Sequence, residues 1–317
     1  MAAARQEFVS QGFQASAARQ TVSGSRALTA TTSTVLVTGA TGFVGRHLVS
    51  ALLSKGFKVR AVARTLDSAR SLPWFAQVEF VAADLHAPDL DVERLVDGVD
   101  VVAHLAWSGL PNYQALFHFE RNLPADYAFL KRAVVAGVSQ VLVTGTCFEY
   151  GLQSGRLAES VLPQPCTPYG LAKHTLRLFL EALQREQSFT LQWARLFYLY
   201  GEGQNSNSLL ASLDRAIDGG EAQFNMSMGD QLRDYLQITE AAAQLASLIG
   251  RPDVDGVTNC CSGQPISVRA LVEQRVRERQ STIKLNLGHY GYSAHEPMAF
   301  WGDAQRISQL KGQEHAA

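Results

Sequence analysis

A strand-like run, a glycine-rich turn and a helix-like run follow each other directly near residue 34. The first run, 34–38, reads Thr-Val-Leu-Val-Thr, and the turn after it carries Gly39, Gly42 and Gly45. Apolar residues at helical spacing then continue over 43–54 and stop at a glycine. The segment predicts a buried strand that turns at once into a helix, because such glycines allow a tight turn and close packing of helix on strand.

The same rhythm repeats along the chain. Further β-branched runs of strand length lie at 58–64, 78–84, 100–106, 140–146 and 191–200, and helix-compatible segments separate them. Near-continuous apolar strands are typical of a sheet covered by helices on both faces. We therefore expect an α/β fold built on a doubly wound parallel sheet.

The domain organisation follows from where this rhythm begins and ends. Residues 1–33 are rich in Ala, Ser, Thr, Gln and Arg, and their composition predicts a disordered leader. The sheet-forming domain is expected over 34–200. Shorter elements and Gly-, Asn- and Ser-rich loops over 201–317 predict a smaller lobe, interleaved with the first because a run at 257–261 can rejoin the sheet.

Composition excludes several classes of protein. Hydrophobic residues at 46% and charged residues at 18% are typical of a globular protein, and a net charge of −1 gives no basic field for nucleic acid or an anionic membrane. No apolar run is long enough to cross a bilayer. The four cysteines show no metal-ligand spacing, nor do His289, His295 and His315, so we expect no metal and a cytoplasmic location.

The glycine turn predicts a dinucleotide site, because a helix amino terminus offers free N–H groups to phosphates. An acid at the end of the second strand usually binds the adenosine ribose and selects NAD. Arg64 stands there instead, so NADP is favoured over NAD, since a guanidinium can pair with a 2′-phosphate. A solvated surface arginine is the alternative. Asp84 and Leu85, after the third strand, are placed to meet the adenine.

Three side chains suggest carbonyl–alcohol chemistry. Tyr169 and Lys173 lie four residues apart on a helix that Pro168 introduces, so they share a face. Thr146 ends the fifth strand, at the sheet edge where ligands bind in open α/β folds. Tyrosine is a weak acid near pH 7, and we expect the lysine ammonium and an oxidised nicotinamide to lower its pKa.

Residues 34 to about 310 resemble the extended short-chain dehydrogenase/reductases, in the nucleotide-sugar epimerase/dehydratase/reductase group, which have a Rossmann fold. The motifs that carry the resemblance are Thr38-Gly-Ala-Thr-Gly-Phe-Val-Gly45, Asp84-Leu85, His104-Leu-Ala106, Thr146 with Tyr150-Gly151, Tyr169-Gly-Leu-Ala-Lys173, Arg195-Leu-Phe with Tyr200-Gly201, and Arg233-Asp-Tyr-Leu236.

The resemblance implies a role for each matching position. Tyr169 is then the catalytic acid/base, Lys173 binds the nicotinamide ribose, and Thr146 completes the triad. The expected cofactor contacts are Gly39, Thr41, Gly42, Phe43, Val44, Gly45, Arg64, Asp84, Leu85, Leu105, Ala106, Trp107, Asn122, Thr144 and Lys173.

Some positions depart from the family pattern. Thr146 replaces the commoner serine, and Gly145 stands where a second serine is frequent. Trp107 replaces a small residue, so we expect a reshaped pocket. Glu202 occupies a position often held by proline.

Several stretches, among them 104–113, 144–151 and 296–302, resemble the bacterial dTDP-6-deoxy-L-talose 4-dehydrogenases, which reduce dTDP-4-keto-6-deoxyhexoses. The expected substrate-binding residues are Cys147, Glu149, Arg195, Asn205, Phe224, Asn225 and Arg233. Arg233 is the first candidate for a pyrophosphate clamp and Arg195 the second, because a nucleotide diphosphate needs cations. The alternatives are a structural ion pair for Arg195 and an Asp–Arg surface network for Arg233. His104, in an apolar strand, is expected to be a satisfied interior histidine.

We therefore expect an NADP(H)-dependent reductase of a nucleotide-linked 4-keto-6-deoxy sugar, with dTDP as the nucleotide. One alternative is a nucleotide-sugar 4-epimerase that retains NAD, and Arg64 argues against it. Another is a non-catalytic dinucleotide-sensing protein, and the intact triad argues against that. In this family, homodimers commonly form through helices near 113–136 and 168–186.

Overall fold

The computed structural model describes residues 33–292 and 296–314. The expected leader lies outside this range except for Ser33, which is buried and whose carbonyl accepts a hydrogen bond from the amide of Lys58 (3.1 Å). His295 and His315 also lie outside the described residues. The disordered leader stays a prediction.

The strands, in chain order, are β1 Thr34–Thr38, β2 Lys58–Ala63, β3 Glu79–Ala82, β4 Val101–His104, β5 Gln140–Thr146, β6 Gly155–Leu157, β7 Thr190–Leu196, β8 Tyr198–Tyr200, β9 Gln223–Asn225, β10 Leu232–Gln237, β11 Gly256–Cys260, β12 Pro265–Ser267, β13 Lys284–Asn286 and β14 Phe300–Gly302. The helices are α1 Phe43–Ser54, α2 Asp67–Arg70, α3 Val92–Leu95, α4 Leu123–Val135, α5 Pro168–Leu183, α6 Leu209–Asp218, α7 Ile238–Ile249, α8 Val268–Glu278 and α9 Gln305–Glu314.

Seven parallel strands form the central sheet in the order β11-β7-β5-β4-β1-β2-β3. Helices α1, α7 and α9 share a hydrophobic cluster on one face, and α3, α4 and α5 share another on the opposite face. Burial on both faces explains why the strands are apolar throughout, as in β1, where Val35, Leu36 and Val37 are fully buried. The predicted doubly wound parallel sheet is confirmed.

The carboxy-terminal lobe has its own small core and three small sheets. Helices α6 and α8 pack with the β9–β13 pair around Leu213 and Val272, and β10 pairs with both β8 and β12. Strand β11 lies beside β7 in the central sheet, as the run at 257–261 suggested. The two parts of the chain are therefore interleaved.

The run at 191–200, expected as one strand, forms two. Strand β7 stays in the central sheet, where its last residue pairs with the last residue of β11. Strand β8 leaves that sheet and pairs in parallel with β10. The break at Phe197 carries the chain from the first core into the carboxy-terminal lobe. Within the described residues, no helix is both long and apolar enough to cross a membrane.

Candidate active site

The glycine turn after β1 is tightly enclosed. Gly39 has φ +66°, and a Cβ atom there would lie 2.9 Å from the backbone nitrogen of Ala106. A Cβ atom at Gly45 would lie 2.1 Å from the carbonyl oxygen of Gly39. Gly42 precedes α1 and supplies no side-chain cap, so the first N–H groups of the helix remain free for an anion. The cradle therefore fits the pyrophosphate of a dinucleotide.

A cleft of about 320 Å³ opens beside this turn, at the carboxyl ends of the parallel strands. Nine of the expected cofactor residues line it: Gly39, Thr41, Gly42, Arg64, Asp84, Leu85, Leu105, Ala106 and Trp107. Arg64 is exposed at the end of β2, where its guanidinium can reach a ligand. Phe43 and Val44 begin α1 and are half-buried just behind the turn.

A buried polar network supports the floor of this cleft. The Thr38 hydroxyl accepts hydrogen bonds from the amides of Leu105 (3.1 Å) and Ala106 (3.2 Å) and contacts Nδ1 of His104 at 3.0 Å. The Asp126 carboxylate lies 3.5 Å from Nε2 of His104. The network fixes the end of β4 against the glycine turn, and it makes His104 the interior histidine that was expected.

Two expected cofactor residues form hydrogen bonds with backbone carbonyls of the segment that lines the cleft. Asn122 is buried, and its amide donates to the carbonyl of Ser108 at 2.9 Å. It lies in the π-type turn 118–122 that precedes α4. Thr144 is buried in β5 with its hydroxyl 3.5 Å from the carbonyl of His104. Both residues hold the segments that line the cleft rather than lining it themselves.

Tyr169 and Lys173 are both buried on the inner face of α5. Thr167 caps this helix by accepting a hydrogen bond from the amide of Gly170 (3.0 Å). Thr146 ends β5, and its side chain is close enough to that of Tyr169 to exert a lowering effect on the tyrosine pKa, so the three predicted side chains come together at the end of this strand. Lys173 is 1% exposed, and its ammonium has no hydrogen-bond partner among the described residues. A buried, unpartnered ammonium fits the hydroxyls of a nicotinamide ribose.

Burial dominates the ionisation of this pair. It raises the pKa of Tyr169 far above its ordinary value, and the side chain of Thr146 only partly opposes it. Burial also lowers the pKa of Lys173 to about 8, against the raising effect of the Asp126 and Glu149 carboxylates. Among the chain's own groups, desolvation outweighs every other influence on the Tyr169 pKa. The expectation that the lysine ammonium and an oxidised nicotinamide together lower this pKa stays a prediction.

Aromatic rings surround the tyrosine. Trp107, Tyr113, His118 and Phe148 have ring centroids 6.0, 5.6, 5.3 and 6.2 Å from that of Tyr169. The indole N–H of Trp107 donates to Nδ1 of His118 (3.0 Å), so Nε2 of His118 carries its proton and donates to the carbonyl of Asn112. This bonding holds the 107–118 segment over Tyr169.

The Trp107 indole also covers Lys173. Nζ of Lys173 lies 4.0 Å from the centroid of the indole ring, a cation–π contact. Trp107, which we expected to reshape the pocket, lines the first cleft and contacts the side chains of both Tyr169 and Lys173.

A second cleft of about 310 Å³ opens near Tyr169. It is lined by Pro111, Asn112, Tyr113, Gln114, Ala115, Phe148, Thr167 and Glu296. Thr146, Tyr169 and Lys173 are not among the residues that line either cleft, but Tyr169 contacts a wall of each: Trp107 belongs to the first cleft, and Tyr113 and Phe148 belong to the second. The tyrosine therefore lies between a wall of the dinucleotide cleft and a wall of the second cleft.

Two expected substrate residues form an interior ion pair instead. Glu149 is fully buried, and its oxygens accept from the amide of Thr146 (2.9 Å), the indole of Trp193 (2.8 Å) and Nε of Arg195 (2.9 Å). Arg195 is 1% exposed and stacks over the Tyr150 ring. We expected both residues to contact the substrate, and this expectation is wrong, because neither residue lines either cleft. Arg195 forms the structural ion pair that was the alternative.

Arg233, the first candidate for a pyrophosphate clamp, is also paired. It is 3% exposed, and Nη2 donates to Oε2 of Glu296 at 2.9 Å. Its other terminal nitrogen donates to the carbonyls of Leu232 and Met298. The guanidinium therefore anchors the segment from residue 296 onward, and a diphosphate would have to replace the carboxylate to reach it.

The remaining substrate candidates line neither cleft. Cys147 is buried next to Thr146, and burial raises the pKa of its thiol far above the usual value, which makes it an inert thiol. Asn205 accepts a hydrogen bond from the amide of Asn207 in an exposed turn. Phe224 packs in the core of the carboxy-terminal lobe, and Oδ1 of Asn225 accepts a hydrogen bond from Nδ2 of Asn286 (2.8 Å). Their substrate roles stay predictions.

Several residues of the site were absent from the sequence prediction. Tyr113 and Glu296 stand in stretches singled out for resemblance, but no spacing signal linked them to Tyr169. His118 and Asp126 lie on helical segments whose pattern predicts only packing. An acid or histidine at an inward helical position is a signal that can mark such residues, and Asp126 has it.

Comparison with known proteins agrees with this geometry. A model of the NAD dependent epimerase/dehydratase family matches residues 35–261 of the chain. The dTDP-6-deoxy-L-talose 4-dehydrogenase (NAD(+)) of Aggregatibacter actinomycetemcomitans is 30% identical over 272 residues, which cover 84% of this chain and 98% of that protein.

Two further similarities cover most of the chain. The dTDP-6-deoxy-L-talose 4-dehydrogenase (NAD(P)(+)) of Kitasatospora kifunensis is 30% identical over 77% of this chain and 78% of its own length. Among solved structures, MoeE5 in complex with UDP-glucuronic acid and NAD superposes with a TM-score of 0.74 at 27% identity, covering 88% of this chain and 92% of that one.

Proposed function

Because the chain belongs to the NAD dependent epimerase/dehydratase family, we propose that it is an NADP(H)-dependent reductase of a nucleotide-linked 4-keto-6-deoxy sugar, with a dTDP nucleotide. It is an enzyme of the NAD(P)-dependent nucleotide-sugar class, as its relatives are. The observation that carries the proposal is the position of Tyr169 between a wall of the dinucleotide cleft and a wall of the second cleft, beside Thr146 and Lys173.

The chain's own residues supply binding, orientation and a proton. When bound, the nicotinamide supplies the hydride. The turn at Gly39–Gly42 and the start of α1 hold the pyrophosphate, and Lys173 donates hydrogen bonds to the nicotinamide ribose. The Thr146 hydroxyl orients the substrate C4 oxygen beside Tyr169, and Tyr169 donates its phenolic proton to that oxygen.

Tyr169 is able to act as the proton donor. Burial raises its pKa, so the phenol keeps its proton at neutral pH. A protonated phenol is the form needed to donate to the oxygen that develops charge during reduction.

The choice of NADP over NAD is proposed from Arg64. It is the cation placed at the end of β2 and lining the cofactor cleft, where the 2′-phosphate of NADP would lie. The relatives differ in this respect, since one is named for NAD(+) and another for NAD(P)(+). We also propose that the protein is a cytoplasmic homodimer, and the buried thiols of Cys147, Cys260 and Cys261 suit a reducing compartment.

The direct test is an assay of the purified protein with a dTDP-4-keto-6-deoxyhexose and NADPH or NADH, following absorbance of the reduced cofactor. One cofactor oxidised for each sugar reduced is the expected result. Sugar isomerisation without net cofactor consumption would instead identify a 4-epimerase. Cofactor binding without turnover of any nucleotide sugar would identify a dinucleotide sensor.

Tyr169→Phe tests the role of the proton donor in the same assay. We expect kcat to fall by about 100-fold or more, because general acid catalysis typically contributes that much. The dissociation constant for NADPH should stay within about twofold, since the phenol ring and its packing remain. Tyr127→Phe, on α4, serves as the matched control. Full activity of Tyr169→Phe contradicts the mechanism.

A further inference from the structure

The second cleft has one charged wall. Among the described residues that line it, Glu296 alone carries a formal charge, and its side chain is 28% exposed. Oε2 of Glu296 accepts hydrogen bonds from the Tyr198 hydroxyl (2.8 Å) and from Nη2 of Arg233 (2.9 Å). Among the described residues no donor reaches Oε1, so this oxygen is available to a ligand.

The cation behind this carboxylate is not available. Arg233 is 3% exposed, directs its terminal nitrogens to Glu296 and to two backbone carbonyls, and is covered by the rings of Tyr198 and Phe300. A ligand in the cleft therefore meets the carboxylate before the guanidinium. A second carboxylate in this space would lie near the carboxylate of Glu296. The two negative charges would repel each other, and the nearby cation, Arg233, is already paired. Such a repulsion is unfavourable away from bulk water.

The rest of the described lining is uncharged. Tyr113 and Phe148 stack with ring centroids 4.8 Å apart, and Pro111 and Ala115 also line the cleft. Asn112, Gln114 and Thr167 are polar and can form hydrogen bonds with hydroxyl groups, but they carry no positive charge to pair with a carboxylate. The cleft thus combines an acceptor and neutral polar groups for sugar hydroxyls with an apolar surface for the carbon faces of a sugar.

We propose that Glu296 selects the substrate class: the sugar in the second cleft is neutral, with a methyl or hydroxymethyl group at C5, and hexuronic acids are excluded. Oε1 of Glu296 accepts a hydrogen bond from a sugar hydroxyl, while Arg233 and Tyr198 hold the carboxylate in place. This inference rests on the proposed function, because it treats the second cleft as the sugar site.

The test compares three dTDP sugars that differ only at C6, as methyl, hydroxymethyl or carboxylate, in both C4 epimeric series. Binding to the NADP⁺-loaded protein is measured by calorimetry, and oxidation is followed separately. We expect the two neutral sugars to bind within about tenfold of each other and the carboxylate sugar at least about 100-fold more weakly. Equal binding of the carboxylate sugar overturns the inference.

Glu296→Gln keeps an acceptor for Arg233 and Tyr198 but removes the charge. We expect it to improve binding of the carboxylate sugar at least about tenfold relative to the methyl sugar. Glu273→Gln on α8, where an exposed carboxylate pairs with Arg269, is the matched control and should leave the ratio unchanged. An unchanged ratio in Glu296→Gln assigns the exclusion to another residue and overturns the proposal.

The two proposals fail in different ways. Sugars that bind without being turned over refute the reductase, and the binding ratio still decides the role of Glu296. Turnover of neutral and carboxylate sugars at similar efficiency refutes the role of Glu296 and leaves the reductase standing. If no sugar binds or reacts, both proposals are wrong.

Discussion

At the scale of single residues, the buried side chain of Lys173 lowers the stability of the folded protein. A lysine that is 1% exposed without a hydrogen-bond partner among the described residues is held mainly by the Trp107 ring and by the more distant carboxylates. Such an arrangement destabilises the ligand-free protein because the ammonium has lost its hydration. On the proposed function, this loss of stability is offset by a gain in function, because the buried ammonium binds the ribose of the cofactor.

This cost has a defined pH dependence. The pKa of Lys173 falls from 10.5 to about 8 on folding. Below pH 8 the lysine is charged in both states and the folded protein bears the full penalty. Between pH 8 and 10.5 the unfolded chain binds more protons, so stability rises with pH, and above 10.5 the penalty is gone.

Lys173→Met is therefore expected to stabilise the protein at pH 7 by about 3 kcal/mol. The difference from wild type should shrink as the pH rises from 8 to 10.5, because only the wild type loses a proton there. Denaturant unfolding at pH 7 and pH 10 measures both quantities. Lys131→Met, at an exposed position of α4, is the control. A gain that is equal at both pH values contradicts the assignment.

Arg64 carries the prediction on cofactor choice. Arg64→Asp is expected to shift the ratio of kcat/KM for NADPH over NADH toward NADH by about tenfold or more, because a charge-assisted pair with a phosphate is lost and a repulsion is added. Steady-state kinetics with both cofactors measure the ratio. Arg94→Asp, outside the cleft, should not change it. If the ratio of kcat/KM for NADPH over NADH is the same in Arg64→Asp as in the wild type, Arg64 is a surface charge that does not select the cofactor.

The spacing of residues along the chain predicted the positions of those candidate site residues that lie on helices and strands. Tyr169 and Lys173 share a helix face, and Thr146 ends a strand, so sequence distance translates directly into position. Arg195 and Glu149 show the limit of this reasoning. Their charge suggests a ligand, yet the partner of each is a residue 46 positions away that only the tertiary fold brings close.

At the scale of elements, α5 presents an apolar stripe to solvent. Leu171, Leu178 and Phe179 are 46%, 45% and 43% exposed, and on the neighbouring α4 Val135 is 63% exposed. Leu171 and Leu178 are seven positions apart, which places them on the same face of α5, and the ring of Phe179 contacts that of Tyr127 on α4 (centroids 5.3 Å apart), so the apolar surface continues as a patch from one helix to the other. The patch supports the proposed homodimer through α4 and α5.

Replacing Leu178 and Phe179 together by Asp should convert the dimer to monomers, because buried carboxylates would have no partner across the interface. Light scattering after size-exclusion chromatography gives the mass of each form. Leu162→Asp, at a loop position that is 73% exposed, should stay dimeric. A wild-type protein that is already monomeric at micromolar concentration contradicts the assignment.

Element types were predictable where local pattern and tertiary environment agree. The long apolar strands of the central sheet are examples, since burial on both faces demands what the sequence displays. Strand β8 was missed because its residues continue the pattern of β7 without a turn signal. Only pairing with β10, which lies more than thirty residues further along, separates the two.

At the scale of the whole molecule, the dinucleotide-binding half depends on residues from the carboxy-terminal half. Strand β11 covers the outer edge of β7, and α7 buries Leu245, Leu248 and Ile249 against the main core. The expected boundary at residue 200 therefore does not separate two units that fold independently.

A fragment of residues 33–200 should accordingly fail to fold cooperatively, because it exposes the edge of β7 and the apolar surface under α7. Extending it to residue 263 restores both elements and should recover near-ultraviolet circular dichroism and resistance to limited proteolysis. A 33–200 fragment that is monomeric and protease-resistant would contradict this dependence.

The order of strands in the central sheet also bears on how the chain assembles during synthesis. The first strand made, β1, lies inside the sheet, with β2 and β3 on one side and β4, β5, β7 and β11 added in turn on the other. Each new strand thus finds its neighbour already synthesised. Two edges wait much longer for their partners than the others do: β1, whose partner β4 begins about sixty residues after it ends, and β7, whose partner β11 begins about sixty residues after it ends. The nascent chain is therefore most exposed to aggregation before β4 and again before β11, the last strand of the sheet, has emerged.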